Sequence, residues 1–502
     1  MHFKKESLNL RLYQQTILNT ALNHNTLVVI PTGLGKTYIA IALAGMRARL
    51  GKVLFLAPTK PLVEQQKTVF MDFFEPIDNL TLLTGETSPS ERKRIWEDAK
   101  IIFSTPQTIR NDVLSKRISL ENVSLIIFDE AHRAIGEYAY VPIAQKYNDI
   151  AKTPKILALT ASPGSDRAHI NEIKSNLFIE KTELRDKDHE EVKEFTQETD
   201  TIYKWVTITK DLNEIIKALD AAASRRINDL YDMKFLNTKR PSKTYLLSLQ
   251  KSFFKHKTKN YFRMQGVSLI AQVIKILHAK TLAESETVSA LNEYLKNIWD
   301  QSNLTKNRGI KSIVNDGEII RAYALTKKLI DNNLEHPKIQ ALQETIKDIT
   351  TQNKNAKILV FTEYRANIRP ILDKLIDSNL DVEKFVGQGH GQEKGMNQKE
   401  QSRVIDRFRN NELHALVATS VAEEGLDIPS VDAVIFYSPI PSGLRTIQRR
   451  GRTGRHSKGK LIILMTKGTK DVTYNFISRR KENAMKTILD PRNKTLKDFV
   501  QW

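Results

Sequence analysis

The sequence predicts an α/β protein in which parallel sheet is interrupted by a purely helical stretch, and three segments carry that prediction. In TLVVIPTGLGKTYIAIALA a short apolar strand at residues 26–30 enters a glycine-rich turn and then a helix that begins near Lys36. In VSLIIFDEAH an apolar run ends directly on two carboxylates, as a central parallel strand does where it meets a ligand crevice. From Pro241 to Pro337 there is no proline, and VSLIAQVIKILHA and EIIRAYALTKKLI repeat apolar residues at i, i+3 and i+4, the period of packed helices.

The first element is a phosphate-binding loop, because strand, glycine turn and helix occur in the order that such a loop needs. Thr32, Gly33, Leu34 and Gly35 form the turn, and the two glycines let backbone N–H groups approach phosphates. Lys36 reaches the β and γ oxygens of ATP, and the Thr37 hydroxyl is a ligand for Mg²⁺. At the second element Asp129 is the other candidate Mg²⁺ ligand, and Glu130 the general base that polarises an attacking water.

Composition bounds the rest. The 502 residues suffice for two to four domains, and 40% apolar with 27% charged residues is ordinary for a folded globular chain. Lys and Arg number 78 against 58 Asp and Glu, a net charge of +20 that points to a polyanionic partner such as nucleic acid. The absence of cysteine excludes disulfides, Cys-based zinc sites and iron–sulfur clusters. MHFKKESLNL has no apolar core of a signal peptide, and no stretch reads as a membrane span, so a cytoplasmic chain without membrane association is expected.

The basic charge is concentrated in two places. Residues 234–263 hold nine Lys or Arg and no acid, interleaved with Phe235, Tyr245, Phe253, Phe254, Tyr261 and Phe262. Lys239, Arg240, Lys243, Lys255 and Lys257 are its candidate phosphate contacts, in a clamp that tracks a duplex or junction; the competing reading is a basic face over an aromatic core. The second place is QRRGRTGR, residues 448–455, where four arginines surround two glycines and demand an anion among them.

IPTGLGKT, APTKPLVEQQ, STPQTIRND, FDEAH, LTASPG, ILVFTEYR, VATSVAEEGLDIP and QRRGRTGR stand in the order of the motifs of superfamily 2 helicases, which the chain resembles over most of its length. Ile30 occupies the position of the first glycine of the general phosphate-loop pattern, a departure common in that superfamily. The resemblance implies two RecA-like domains with ATP in the cleft between them, residues 1–200 and 336–502, and a helical insert at 201–335. It implies that Arg452 and Arg455 are arginine fingers on the γ-phosphate, that Gln448 orders the site, and that Asp427 lies on the ribose side. It makes Gln14 the adenine reader, with Arg11 or Tyr13 lining the base and Gln15 facing elsewhere. It places Pro58, Thr59, Lys60, Thr105 and Pro106 of the first domain, and Thr362, Glu363 and Thr419 of the second, on the nucleic-acid backbone.

The helical basic insert and the second-domain sequence resemble the archaeal Hef and Fanconi anaemia M branch of that superfamily; such inserts also occur in innate-immune RNA-sensor helicases. The Hef resemblance implies an ATP-driven monomeric translocase that remodels forks and four-way DNA junctions, with a sliding clamp or repair proteins as further partners. An RNA motor and a nucleotide-gated scaffold without turnover are the competing readings. Many Hef proteins continue into a nuclease bearing an ERK motif. Glu91-Arg92-Lys93 reads instead as a surface helix, and no nuclease activity is expected.

Overall fold

The computed structural model describes residues 2–4, 8–186, 189–195, 199–255, 261–304, 307–387, 395–422, 428–453 and 459–489. The first sheet is built from β1 (Thr26–Val29), β2 (Lys52–Leu56), β3 (Leu80–Leu83), β4 (Ile101–Ser104), β5 (Val123–Phe128), β6 (Ile156–Thr160) and β7 (Lys181–Leu184). All are parallel, in the order β3-β4-β2-β5-β6-β1-β7. Its inner strands are buried along their whole length, which is why VSLIIF and ILALT read as continuous apolar runs rather than alternating ones.

The second sheet contains β8 (Thr199–Val206), β9 (Ile358–Phe361), β10 (Val382–Phe385), β11 (Ala415–Ala418), β12 (Ala433–Phe436) and β13 (Gly459–Thr466). It too is parallel, in the order β8-β13-β12-β9-β11-β10. Strand β8 corrects the expected boundary: residues 201–206, assigned from sequence to the insert, pair with β13 along their whole length. The chain thus enters the second domain for one strand, leaves through the insert, and returns.

Helices flank each sheet at strand ends. In the first domain α1 (Leu12–Asn23), α2 (Lys36–Arg47), α3 (Lys60–Met71) and α4 (Pro106–Leu114) matter for the site, and a short helix α5 (Glu190–Lys193) packs on α1. The insert consists of α6 (Lys210–Asp232), α7 (Lys243–Lys255), α8 (Tyr261–Ser285), α9 (Val288–Leu304), α10 (Arg308–Val314) and α11 (Gly317–Asp331). Leu212, Ile215 and Leu219 on α6 meet Ile276, Leu282, Leu291 and Ile319 in one apolar core. By length and composition α8 could cross a membrane, contrary to the sequence expectation. Half of its most apolar window is buried against the bundle, as in the central helix of a packed domain. The second domain resumes at α12 (Pro337–Gln352) and adds α13 (Gly443–Arg450) and α14 (Lys470–Leu489).

The Glu91-Arg92-Lys93 segment is helical, but Arg92 is not on the surface. Its guanidinium is buried and donates to both carboxylate oxygens of Asp112, at 2.6 and 2.8 Å.

Candidate nucleotide site and nucleic-acid face

The site grows from the ends of three neighbouring strands. The phosphate loop follows β1, the DEAH segment follows β5, and Thr160 ends β6, with Ser162 just beyond it; β6 lies between the other two. Gly33 and Gly35 adopt φ +86° and +74°, in the left-handed region that glycine enters without steric cost. At Gly35 a Cβ would also come within 2.4 Å of Gln14 Nε2, so helix α1 rests directly on the loop. Tyr13 Oη and Gln14 Nε2 both donate to the Leu34 carbonyl, at 2.8 and 3.2 Å. Gln14 is almost fully buried, and its Oε1 accepts the Arg11 N–H. Gln15 is exposed and donates to Leu10, away from the loop.

Lys36 Nζ donates to the Ile30 carbonyl at 3.0 Å, and Thr37 Oγ1 to Gln66 Oε1 at 3.1 Å. Across the crevice Tyr140 Oη donates to the Asp129 and Leu56 carbonyls, fixing the ends of β5 and β2. Burial, reinforced by the charge of Glu130, pushes the Asp129 carboxyl up to about 7 against the pull of Lys36. Glu130 takes φ +50°, rare for a side chain with a Cβ, and its buried Oε2 has no hydrogen-bond partner. His132 Nδ1 lies 3.3 Å from Thr160 Oγ1, a contact that couples the DEAH segment to the strand beside it. Two desolvated carboxylates, one unsatisfied, facing a lysine and a hydroxyl suit a hydrated divalent cation brought with a polyphosphate. Among the described residues no cluster of three or more Asp, Glu or His could hold a metal unaided, so substrate oxygens and water would complete the shell.

The second domain reaches this loop through α13. Thr32 Oγ1 donates to the Gly451 carbonyl at 3.1 Å, and a Cβ at 451 would lie only 2.2 Å from that hydroxyl oxygen. Gln448 and Arg452, one turn apart, are both buried beside this contact. Two of the other arginines serve the second domain itself. Arg449 is fully buried, 4.9 Å over the Phe361 ring, and pairs with Glu363; Arg450 makes a fork to Glu482 on α14. Arg455 and Asp427 lie outside the described residues.

On the first domain the candidate backbone contacts line up. Helices α3 and α4 follow the adjacent strands β2 and β4, so their N-caps Thr59 and Thr105 open on one edge of the sheet, with Pro58, Lys60 and Pro106 beside them. Lys60 is held by Glu86 at 2.6 Å, which pushes its pKa up. The second-domain set is less uniform. Thr362 is fully buried, accepting from Asn367 Nδ2 at 2.7 Å, and Glu363 is paired with Arg445 and Arg449. In this geometry the Thr362 hydroxyl is engaged by a neighbour five residues on and the Glu363 carboxylate by two arginines 82 and 86 residues away, so the expected backbone contacts would compete with protein partners. Thr419 is buried at the end of β11.

In the insert Lys239, Arg240 and Lys243 are exposed, with Lys239 Nζ 5.1 Å over the Tyr231 ring. Phe235 instead packs on Phe253 and Phe262, at 5.1 and 4.8 Å, so part of the aromatic series is a small core beneath the basic face. The Lys255 side chain and Lys257 lie outside the described residues.

Two parallel-sheet domains that close a phosphate loop against an arginine-bearing helix define a helicase-type nucleotide motor. The sequence matches the DEAD/DEAH box helicase family over residues 11–170 and the helicase conserved C-terminal domain over 337–457. Residues 211–333 match the helical bundle of a putative ATP-dependent RNA helicase family. The crystal structure of the Pyrococcus furiosus Hef helicase domain superposes with a TM-score of 0.72 at 40% identity, covering 95% of this chain and all of that one. A putative ATP-dependent RNA helicase of Methanocaldococcus jannaschii is 38% identical over 97% of the chain and 61% of its own length. A Fanconi anemia group M protein homolog of Mus musculus and an ATP-dependent DNA helicase of Sclerotinia sclerotiorum are each 31% identical, over 95% and 92% of the chain and 26% and 40% of their own lengths. The chain belongs to the DEAD/DEAH box helicases, in the family of the Hef helicase domain, and spans less than two thirds of these three relatives.

Proposed function

We propose that the chain is a DNA-dependent ATPase that drives remodelling of branched DNA such as forks and four-way junctions. The observation that carries the reading is the Thr32–Gly451 contact, which brings the C-terminal end of α13, with Gln448 in its last turn and Arg452 just past its cap, onto the phosphate loop. In this reading Lys36 and the backbone of residues 32–37 bind the triphosphate. Thr37 and Asp129 would hold Mg²⁺, which would supply positive charge to offset that of the triphosphate. Glu130, whose buried Oε2 accepts no hydrogen bond and lies 3.4 Å from His132 Nδ1, orients and deprotonates the attacking water. Arg452, with Arg455, meets the γ-phosphate charge as it develops, and Gln448 positions them. Domain closure assembles this set, and the helix N-termini at Thr59 and Thr105 hold the strand on which the work is done.

DNA is favoured because relatives named as a DNA helicase and as a Fanconi anemia group M homolog align across nearly the whole chain. An RNA substrate is the second reading, favoured by the names of the archaeal relative and of the bundle family. ATPase rates with forked DNA, linear duplex DNA and RNA of matched length separate them. Forked DNA should stimulate most, and Lys36→Ala should abolish turnover while leaving salt-sensitive DNA binding in place. Stimulation by RNA alone would reverse the substrate assignment, and turnover retained in Lys36→Ala would refute the phosphate loop.

A further inference from the structure

Arg11 precedes α1 and is exposed, with its guanidinium carbon 4.1 Å from the centroid of the Phe195 ring. Phe195 comes from a distant part of the chain. It follows α5, which Val192 anchors in the core of the first domain, and its N–H donates to the Val192 carbonyl at 2.8 Å. Four residues later the chain becomes β8, the first strand of the second domain. The Tyr13 ring lies 5.9 Å from Phe195.

Three α1 neighbours therefore divide the work. Tyr13 and Gln14 tie the helix to the Leu34 carbonyl of the phosphate loop, while Arg11 stays at the surface, its guanidinium over an aromatic ring. Phe195 is itself 41% exposed, so the pair it makes with Arg11 lies at the surface, within reach of a ligand.

We infer that Phe195 and Arg11 form a two-layer platform for the adenine of ATP, the purine stacking on the guanidinium plane that Phe195 holds from behind. The inference rests on the ATP reading above and adds to it a positioning residue from the segment between the domains. A guanidinium stacks on aromatic faces and carries charge that an electron-rich purine attracts, but an unsupported arginine samples many rotamers. Phe195 removes that freedom before the base arrives.

The test is equilibrium binding of ADP, UDP and inorganic tripolyphosphate to the whole chain by calorimetry. Phe195→Ala should weaken ADP roughly 5- to 20-fold, the range of a stacked cation–aromatic contact, and lower the ADP-over-UDP preference by a similar factor. Tripolyphosphate should bind within about twofold of wild type, and Phe195→Tyr should restore ADP. Wild-type ADP affinity in a folded Phe195→Ala chain would overturn the platform, as would an equal loss for ADP and tripolyphosphate. If Phe195→Ala fails to fold, Arg11→Lys, which keeps the charge and removes the plane, should show the same ADP-selective loss; an unchanged ADP affinity there overturns it equally. A wild-type chain that binds neither ADP nor tripolyphosphate would instead overturn the nucleotide reading, and the platform with it.

Discussion

The second domain has two joints, one with the insert and one with the first domain, and they are built from different materials. At the insert joint, Glu286 at the end of α8 is buried; its Oε2 accepts from Asn367 Nδ2 at 2.5 Å and Ser438 Oγ at 2.7 Å. Thr287 donates through both its N–H and its hydroxyl to Asn367 Oδ1. Lys338, with no exposed surface, pairs with Asp471 at 2.6 Å and donates to the Ser285 and Tyr437 carbonyls. At the joint with the first domain the described contacts include Thr32 to Gly451, Ser162 to Met485, a partly exposed Lys486–Asp186 pair, and Met485 and Leu489 set into an apolar cluster. A buried polar network is directional, and shifting it leaves charges unpaired at a cost of a few kcal/mol. Apolar contacts carry no such register. The insert is therefore built to move with the second domain, and the cleft over the phosphate loop is the joint built to open.

The largest effect should come from removing what the open joint delivers. Arg452→Ala should preserve ATP binding yet lower kcat by about 10³ or more, the range for loss of an arginine that meets transition-state charge. Single-turnover hydrolysis together with nucleotide binding checks it, and a loss below about tenfold would remove Arg452 from the catalytic set.

The locked joint should announce itself through pH. Burial raises Glu286 to about 7; Lys338 pulls it down and Asp471 pushes it up, and burial wins. A carboxyl raised in the folded state favours folding while it keeps its proton. Its contribution is complete below the unfolded value near 4.5 and is lost as pH rises to about 7. A rise of two to three pK units corresponds to roughly 3 to 4 kcal/mol as an upper bound. Glu286→Gln should therefore gain thermal stability relative to wild type as pH rises from about 5 to 7, with no further gain above. Parallel melting curves for the two proteins over that window would break the assignment of a buried acid at this joint.

How much of this was legible beforehand depended on distance along the chain. The phosphate loop and the DEAH strand end were readable because each is one continuous segment whose chemistry needs no partner from elsewhere. The roles of the arginines were only half readable. Arg449 and Arg450 look like Arg452 in QRRGRTGR, and what sets them apart is Glu363 and Glu482, about 86 and 32 residues away. Thr362 looked like a phosphate contact for a different reason: the side chain that claims its hydroxyl, Asn367, is only five residues on but reaches it only once the turn after β9 is folded. Strand β8 carries a readable β-branched and aromatic alternation, but its partner β13 lies some 260 residues later. Phe195 ends an acidic, unremarkable run, and no pattern in it announces an arginine 184 positions upstream.

The smallest predicted effect tests the comparison from its other side. Lys486 and Asp186 bridge the two domains at 3.1 Å, but both side chains remain about a third exposed, at 35% and 29%. Water screens such a pair, and fixing a long lysine side chain offsets much of what attraction remains, so it contributes less than about 1 kcal/mol. Lys486→Ala should leave the nucleotide-free melting temperature within about 2 °C of wild type. Met485 and Leu489 beside it sit in an apolar cluster, with one neutral hydrogen bond from Ser162 Oγ to the Met485 sulfur, so no stranded charge is created there when the bridge goes. DNA-stimulated ATPase should likewise stay within about twofold, since a joint that opens in every cycle cannot depend on one strong latch. A drop of 5 °C or more would mean that the bridge does lock the domains, and the contrast between a fixed and a sliding joint would fail where it is easiest to measure.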